Sequence, residues 1–144
     1  MMPDLEVMAT AYAESAKDIA EAQMELQAQL YVAEAIRDYL RDESKKDELL
    51  PILFATENMG FAEQISEYNT IVLQRNKIIA SSSKESPLVK DIDKQLAAMH
   101  DAVLITAEEA IKQLKIQLKH VTAKENEGKQ LLATAPKKYI DGHL

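Results

Sequence analysis

The sequence of 144 residues has no cysteine and no tryptophan, only 3 glycines, and 5% aromatic residues. Without cysteine, neither a disulfide framework nor a thiolate zinc site can form. This absence fits a reducing cytoplasm and a periplasmic helical protein equally well, so it leaves the compartment open. The abundant residues are Ala, Leu, Ile, Glu, Lys and Gln, which lose little side-chain freedom in a helix. The composition therefore favours long helices over strands.

The sequence also lacks an excess of positive charge, and it lacks long apolar runs. The 24 acidic and 17 basic residues are interspersed, so no face offers the continuous positive field that nucleic acid requires. No run approaches the roughly 20 apolar residues that cross a bilayer, and Met1-Met2-Pro3-Asp4 does not resemble a signal peptide. We expect no nucleic-acid binding. The doubled Met and the ending soon after Pro136 suggest a segment of a longer protein.

Hydrophobic spacing predicts three helices. The first, at about residues 4–42, has apolar residues at intervals of three, four or seven: Leu5, Met8, Tyr12, Ile19, Ala22, Leu26, Ala33, Ile36 and Leu40. The second, at about residues 61–82, has them at intervals of three, four or seven: Phe61, Ile65, Tyr68, Val72 and Ile79. The third, at about residues 87–134, continues this pattern: Leu88, Ile92, Leu96, Met99, Val103, Ala107, Ile111, Leu114, Leu118 and Val121.

Polar and turn residues separate these helices. Pro51 prevents the first helix from continuing, and Gly60 is a candidate turn residue before the second. Ser86 suits the N-cap of the third helix, and Pro87 suits its first turn. Four apolar residues near Pro51 form a predicted cluster that either fills space under the connector or contacts another subunit: Leu50, Ile52, Leu53 and Phe54.

The predicted fold class is all-α, an elongated antiparallel helical hairpin or coiled coil of three main helices in a single segment, residues 1–144. At 1.5 Å per residue, a third helix of about 45 residues would be about 65–70 Å long. No catalytic, cofactor or metal site is predicted. His100 and His120 lack the Glu-x-x-His spacing of a metal site and are expected at the surface, and Gly128-Lys129 lacks the other residues of a phosphate loop.

An ordered series of short motifs carries a family resemblance. It runs from Ile65-Ser66-Glu67-Tyr68-Asn69 through Leu73-Gln74-Arg75-Asn76-Lys77 to Ser86-Pro87-Leu88-Val89-Lys90-Asp91-Ile92-Asp93-Lys94-Gln95-Leu96. This series resembles the Bacteroidales-type capsular and exopolysaccharide transport proteins, which are Wzz-like polysaccharide co-polymerases, or chain-length determinants. The similarity covers about residues 20–140. The segment Ala135-Pro136-Lys137-Lys138-Tyr139 follows the family pattern only in part.

The resemblance implies a non-catalytic oligomerisation or scaffold segment that acts by geometry in controlling polysaccharide chain length and export. It implies a location on the periplasmic side of the bacterial inner membrane, in a protein anchored by membrane helices outside these residues. The implied partners are further copies of the same protein and the polysaccharide polymerase and export machinery. Many family members also carry a cytoplasmic tyrosine kinase, which this chain does not contain. No cofactor is expected.

The resemblance marks five residues as candidate family-motif or interface positions: Tyr68, Asn69, Arg75, Asn76 and Pro87. Two interpretations are open for them. As interface residues they would influence polymer length, so Arg75→Ala would change it without loss of helicity. As structural residues, Tyr68 would pack between helices and Arg75 would form hydrogen bonds between helices. An alternative function, a free-standing cytoplasmic coiled-coil adaptor, is compatible with the same amphipathic helices.

Overall fold

The computed structural model describes residues 4–51 and 60–141, with the backbone alone for residue 132 and residues 134–141. The fold is all-α, as predicted. Helix α1 spans Leu5–Arg41, α2 spans Phe61–Ser81 and α3 spans Pro87–Asp141, with a short 3₁₀ helix at Glu43–Lys45. No strand occurs in the described ranges. The predicted helix ends agree closely with the observed ones except at the end of α3.

Helix α3 continues beyond its predicted end near residue 134. It runs through Pro136 to Asp141. Because the fixed φ of proline is that of a helix, the residues around it can keep helical dihedrals, although its missing N–H removes one backbone hydrogen bond. The prediction that the third helix ends near residue 134 was therefore wrong.

The chain divides into two compact units, which we describe separately. One unit contains Gln29–Gln113 and is called here the three-helix unit, because it holds the end of α1, all of α2 and the first part of α3. The other contains the residues up to Ala28 and those from Leu114 onward. It is called here the two-helix unit, because its described residues belong almost entirely to α1 and α3.

The three-helix unit has a continuous apolar core. Its buried residues come from all three helices and the connector: Ala33, Ile36, Leu40, Leu50, Phe61, Ile65, Tyr68, Val72, Val89, Ile92, Leu96, Val103, Ala107 and Ile111. Helices α2 and α3 run antiparallel, because Gln64 near the start of α2 contacts Thr106 while Arg75 near its end contacts Asp93. Most of these residues were predicted from spacing. Leu88 was not placed correctly, since it is 65% exposed and its neighbour Val89 is buried.

The two-helix unit buries less. Its facing residues are only half-buried along α1 at Met8, Tyr12, Ala16, Ile19, Gln23 and Leu26, and along α3 at Leu118, Val121, Glu125 and Gly128. Ala22 was predicted on this face but is exposed. A strict interval of seven residues drifts by about 20° per repeat on a straight helix, which turns Ala22 away and brings Gln23 inward. Two helices alone enclose no residue of α1 here completely.

The start of α3 follows the predicted capping pattern. The Leu88 amide donates to the Ser86 hydroxyl at 3.3 Å, and the Lys90 amide donates to the Ser86 carbonyl at 3.1 Å. Pro87 is the first helical residue, where its missing N–H costs no hydrogen bond. The sequence Ser86-Pro87 therefore fixes where α3 begins.

Candidate functional site

The segment after α1, residues 42–51, is called here the connector. Polar side chains from the connector and from the end of α1 hold it in place. The amide and hydroxyl of Ser44 donate to the Asp42 carboxylate at 3.0 and 2.6 Å, and these two bonds keep the pKa of Asp42 below its ordinary value. The Tyr39 hydroxyl contacts both the Glu48 carboxylate and the Leu49 carbonyl at 2.9 Å. Burial, and next the hydrogen bond to Glu48, raise the pKa of Tyr39 to about 12. These contacts hold residues 42–49 in a defined path.

Asn69 joins α2 to the end of this connector. Its Oδ1 accepts from the Leu50 amide at 2.7 Å, and its Nδ2 donates to the Leu50 carbonyl at 3.0 Å. Leu50 is 1% exposed, so its peptide groups need partners within the protein. The two bonds, called here the Asn69–Leu50 pair, supply both partners. A side-chain amide is needed here because it can donate and accept at once.

Arg75 joins α2 to both of its neighbours. Its Nε donates to the Asp93 carboxylate on α3, and its NH1 lies 3.3 Å from the Asp47 carboxylate on the connector. The Arg75 side chain is only 13% exposed, whereas its partners are about half exposed. Arg75 therefore makes the hydrogen bond between helices that the structural interpretation expected.

His100 was expected at the surface but is partly buried against the end of α1. Its Nε2 donates to the Leu40 carbonyl at 2.6 Å, and its Nδ1 lies 3.3 Å from the Asp101 carboxylate. The last carbonyls of a helix have no partner within the helix, so His100 supplies one for α1. Spacing along α3 could not reveal this contact, because it depends on where α1 ends.

These connections surround a cavity of about 310 Å³ in the three-helix unit. Its apolar wall includes Leu40, Leu96 and Ala97. Five carboxylates also line it, namely Asp42, Glu43, Asp47, Asp93 and Asp101. Lys46, Arg75 and His100 line it as well, and Lys45 Nζ lies 3.8 Å from the Asp42 carboxylate. We refer to this space as the acidic cavity.

Tyr68 lines the acidic cavity from α2. The residue is 2% exposed, as predicted for packing between helices, and burial raises the pKa of its hydroxyl. The nearby Asp47 carboxylate raises it further. Tyr68 therefore belongs both to the core and to the wall of the cavity.

The other candidate positions lie apart from the cavity. Asn76 is exposed on α2, and Pro87 is exposed at the start of α3. The structure therefore brings Tyr68 and Arg75 to one cavity, places Asn69 beside the connector, and leaves Asn76 and Pro87 outside both groups. Of the predicted apolar cluster near Pro51, Leu50 is buried, and Ile52, Leu53 and Phe54 lie outside the described residues.

Tyr68 and Arg75 were predicted as candidate positions, but the acidic residues around them were not. Asp93 was noticeable as a carboxylate early in α3, and Asp47 as part of a charged connector. Neither position carries a spacing signal that links it to Arg75. The link depends on the path of the connector, which a local pattern does not specify.

The described part of the chain shows neither a metal-binding cluster nor a membrane-spanning helix. In residues 4–51 and 60–141, no group of three or more His, Asp or Glu side chains is arranged to hold a metal ion. Within the same ranges, no helix combines the length and the apolar character needed to cross a membrane. Comparison with known proteins gives no match to a protein-family model, a curated protein or a solved structure.

Proposed function

We propose that this chain is a non-catalytic assembly segment of a polysaccharide co-polymerase that helps to control the chain length and export of a capsular polysaccharide or exopolysaccharide. The observation that carries the proposal is the ordered series of motifs between Ile65 and Leu96 that resembles that family. In this proposal the chain lies on the periplasmic side of the inner membrane. It works as an oligomer beside the polymerase and export machinery.

The contacts of the motif residues support a role as a scaffold. Asn69 and Arg75 connect α2 to the connector and to α3, and Ser86-Pro87 begins α3. A series of residues that holds helices in one arrangement suits a protein whose function depends on the shape of its helical surface.

Asn76 is the motif residue best suited to contact another molecule. It is exposed on α2, and its side chain has no hydrogen bond within the described residues. Asn69, seven residues earlier on the same helix, is part-buried and fully engaged with Leu50. The two asparagines therefore separate a surface role from a structural one.

The proposal is tested by replacing the gene in the source organism and measuring surface-polysaccharide length on gels. We expect deletion to change the length distribution, and Asn76→Ala to change it while the purified chain keeps its helicity and melting temperature. A matched control is Glu67→Ala, another exposed α2 substitution, which should leave the distribution unaltered. An unchanged distribution in the deletion strain would contradict the proposal and favour the coiled-coil adaptor.

A further inference from the structure

The Tyr68 hydroxyl is a polar group without a hydrogen-bond partner among the described residues. Tyr68 is 2% exposed, and no donor or acceptor in residues 4–51 and 60–141 forms a hydrogen bond with its hydroxyl. Among the described residues, Gln64 Oε1 is the one fully enclosed side-chain oxygen or nitrogen that lacks a partner. The Tyr68 hydroxyl is therefore not sealed in the core, and it opens into the acidic cavity that Tyr68 lines. It can accept one hydrogen bond and donate another there.

The charges around the cavity favour a ligand that donates hydrogen bonds. Arg75 is already paired with Asp47 and Asp93, so it offers little positive charge to a ligand. Of the three further carboxylates, Asp42 accepts two hydrogen bonds from Ser44 and lies 3.8 Å from Lys45 Nζ, and Asp101 lies 3.3 Å from His100 Nδ1. The Glu43 carboxylate has no partner among the described residues. The five carboxylates outnumber the basic groups that line the cavity, so its lining is negative overall.

The shape of the cavity favours an organic cation over a metal ion. Its carboxylates are spread around the wall and do not converge, and the described residues contain no group arranged to hold a metal ion. Leu40, Leu96 and Ala97 add an apolar wall suited to an alkyl chain. The space of about 310 Å³ is open to solvent and can hold a short alkyl chain with an ammonium group.

We propose that the acidic cavity binds a small aliphatic amine, with an ammonium group among the carboxylates and the Tyr68 hydroxyl and the alkyl chain against Leu40 and Leu96. The Tyr68 hydroxyl accepts a hydrogen bond from the ammonium group, which gives it the partner that the described residues do not supply. The proposal does not depend on the role in polysaccharide assembly. Either can fail while the other stands.

Titration calorimetry of the full chain with spermidine in low-salt buffer near neutral pH tests the proposal. We expect saturable binding of one spermidine per chain, which weakens as salt is added. Amide NMR shifts should cluster at residues that line the cavity. Tyr68→Phe should weaken binding about tenfold, because a hydrogen bond to a charged group is lost. The same variant should not lower the urea midpoint, since the hydroxyl has no partner among the described residues.

Removing a negative charge and removing a positive charge at the cavity should change spermidine affinity in opposite directions. Asp101→Asn should weaken binding about two- to fivefold, and Lys46→Gln should strengthen it by a similar factor. Asp18→Asn removes the same charge as Asp101→Asn from an exposed site in the two-helix unit, so it is the matched control and should leave binding unchanged.

Several results would overturn the proposal. One is the absence of saturable binding at millimolar spermidine, and another is equal weakening by Asp101→Asn and Asp18→Asn, which would indicate attraction to the acidic surface in general. Equally tight binding of Mg²⁺ or of glucose would assign the cavity to a metal ion or to a polyhydroxyl ligand. A lower urea midpoint for Tyr68→Phe would show that the hydroxyl has a structural role.

Discussion

Replacing Asn69 with alanine should destabilise the three-helix unit through the loss of two specific hydrogen bonds. Asn69 accepts from the Leu50 amide and donates to the Leu50 carbonyl, and Leu50 is 1% exposed. At about 1 kcal/mol for each bond, the loss is about 2 kcal/mol. It rises toward about 4 kcal/mol if water cannot reach the abandoned peptide groups. For a chain of this size, 2 kcal/mol corresponds to a fall of about 5–10 °C in Tm.

The assay is urea unfolding followed by far-UV circular dichroism, with the free energy of unfolding taken at an unchanged m-value. Hydrogen exchange at the Leu50 amide adds a local measurement, because this amide should lose protection in the variant while amides in the middle of α3 keep theirs. Asn76→Ala is the matched control. It replaces the same residue type in the same helix at an exposed site and should stay within about 0.5 kcal/mol of the original chain.

The difference between the two variants isolates the Asn69–Leu50 pair. Alanine is a better helix former than asparagine at both positions, so this gain cancels in the comparison. The free energies of unfolding of the two variants can be compared directly. If they differ by less than about 0.5 kcal/mol, the size of an ordinary surface effect, the Asn69–Leu50 pair does not hold the connector. Undiminished protection of the Leu50 amide in Asn69→Ala would refute the reasoning even more directly.

Three further predictions concern other described contacts. Arg75→Ala should lower the free energy of unfolding by about 1–2 kcal/mol, measured in urea, because it leaves two aspartates without their partner; an unchanged value would return Arg75 to the interface interpretation. Gly128→Ala should stabilise the chain by about 0.5–1 kcal/mol and raise Tm, because alanine is more favourable than glycine within a helix. The added Cβ would lie 3.5 Å from the Tyr12 ring, which is an ordinary contact distance. Gly60→Ala should lower Tm, because Gly60 has a φ of 71°. The neutral Tyr39 hydroxyl is favoured by folding, so its contribution to stability should be complete below about pH 10 and be lost as the pH rises through about 12. Urea midpoints in that range should fall less steeply for Tyr39→Phe, and an identical decline would contradict the raised pKa.

The helices and most of the core could be predicted from the sequence because their signals are local. Intervals of three and four residues placed Phe61, Ile65 and Val72 on one face of α2, and all are buried. Ser86-Pro87 marked the start of α3 through capping chemistry that involves only adjacent residues. Such features follow from side-chain periodicity and backbone hydrogen bonding within one segment.

Some predictions from local patterns were wrong. Leu88 and Val89 are both apolar and adjacent, so spacing alone did not decide which one faces the core. The end of α3, predicted near residue 134, was also wrong, because the helix runs through Pro136 to Asp141. The choice between Leu88 and Val89 depends on tertiary packing, which local patterns do not contain.

The acidic cavity could not be predicted because its walls come from separate parts of the chain. Arg75 and Tyr68 were selected through a resemblance, but their contacts with Asp47 and Asp93 depend on the course of the connector and the register of α2 on α3. The role of His100 likewise depends on the position of the last turn of α1. A charged residue in a sequence shows its chemistry but not its partner.

The most direct test of the polysaccharide co-polymerase proposal is to read the source gene through both ends of this sequence. The proposal predicts a flanking apolar run of about 20 residues on each side, long enough to span a bilayer. A phosphate loop further downstream would add the tyrosine kinase found in many members of the family. A gene that encodes these 144 residues alone, with neither feature, would contradict the proposal and leave a coiled-coil adaptor.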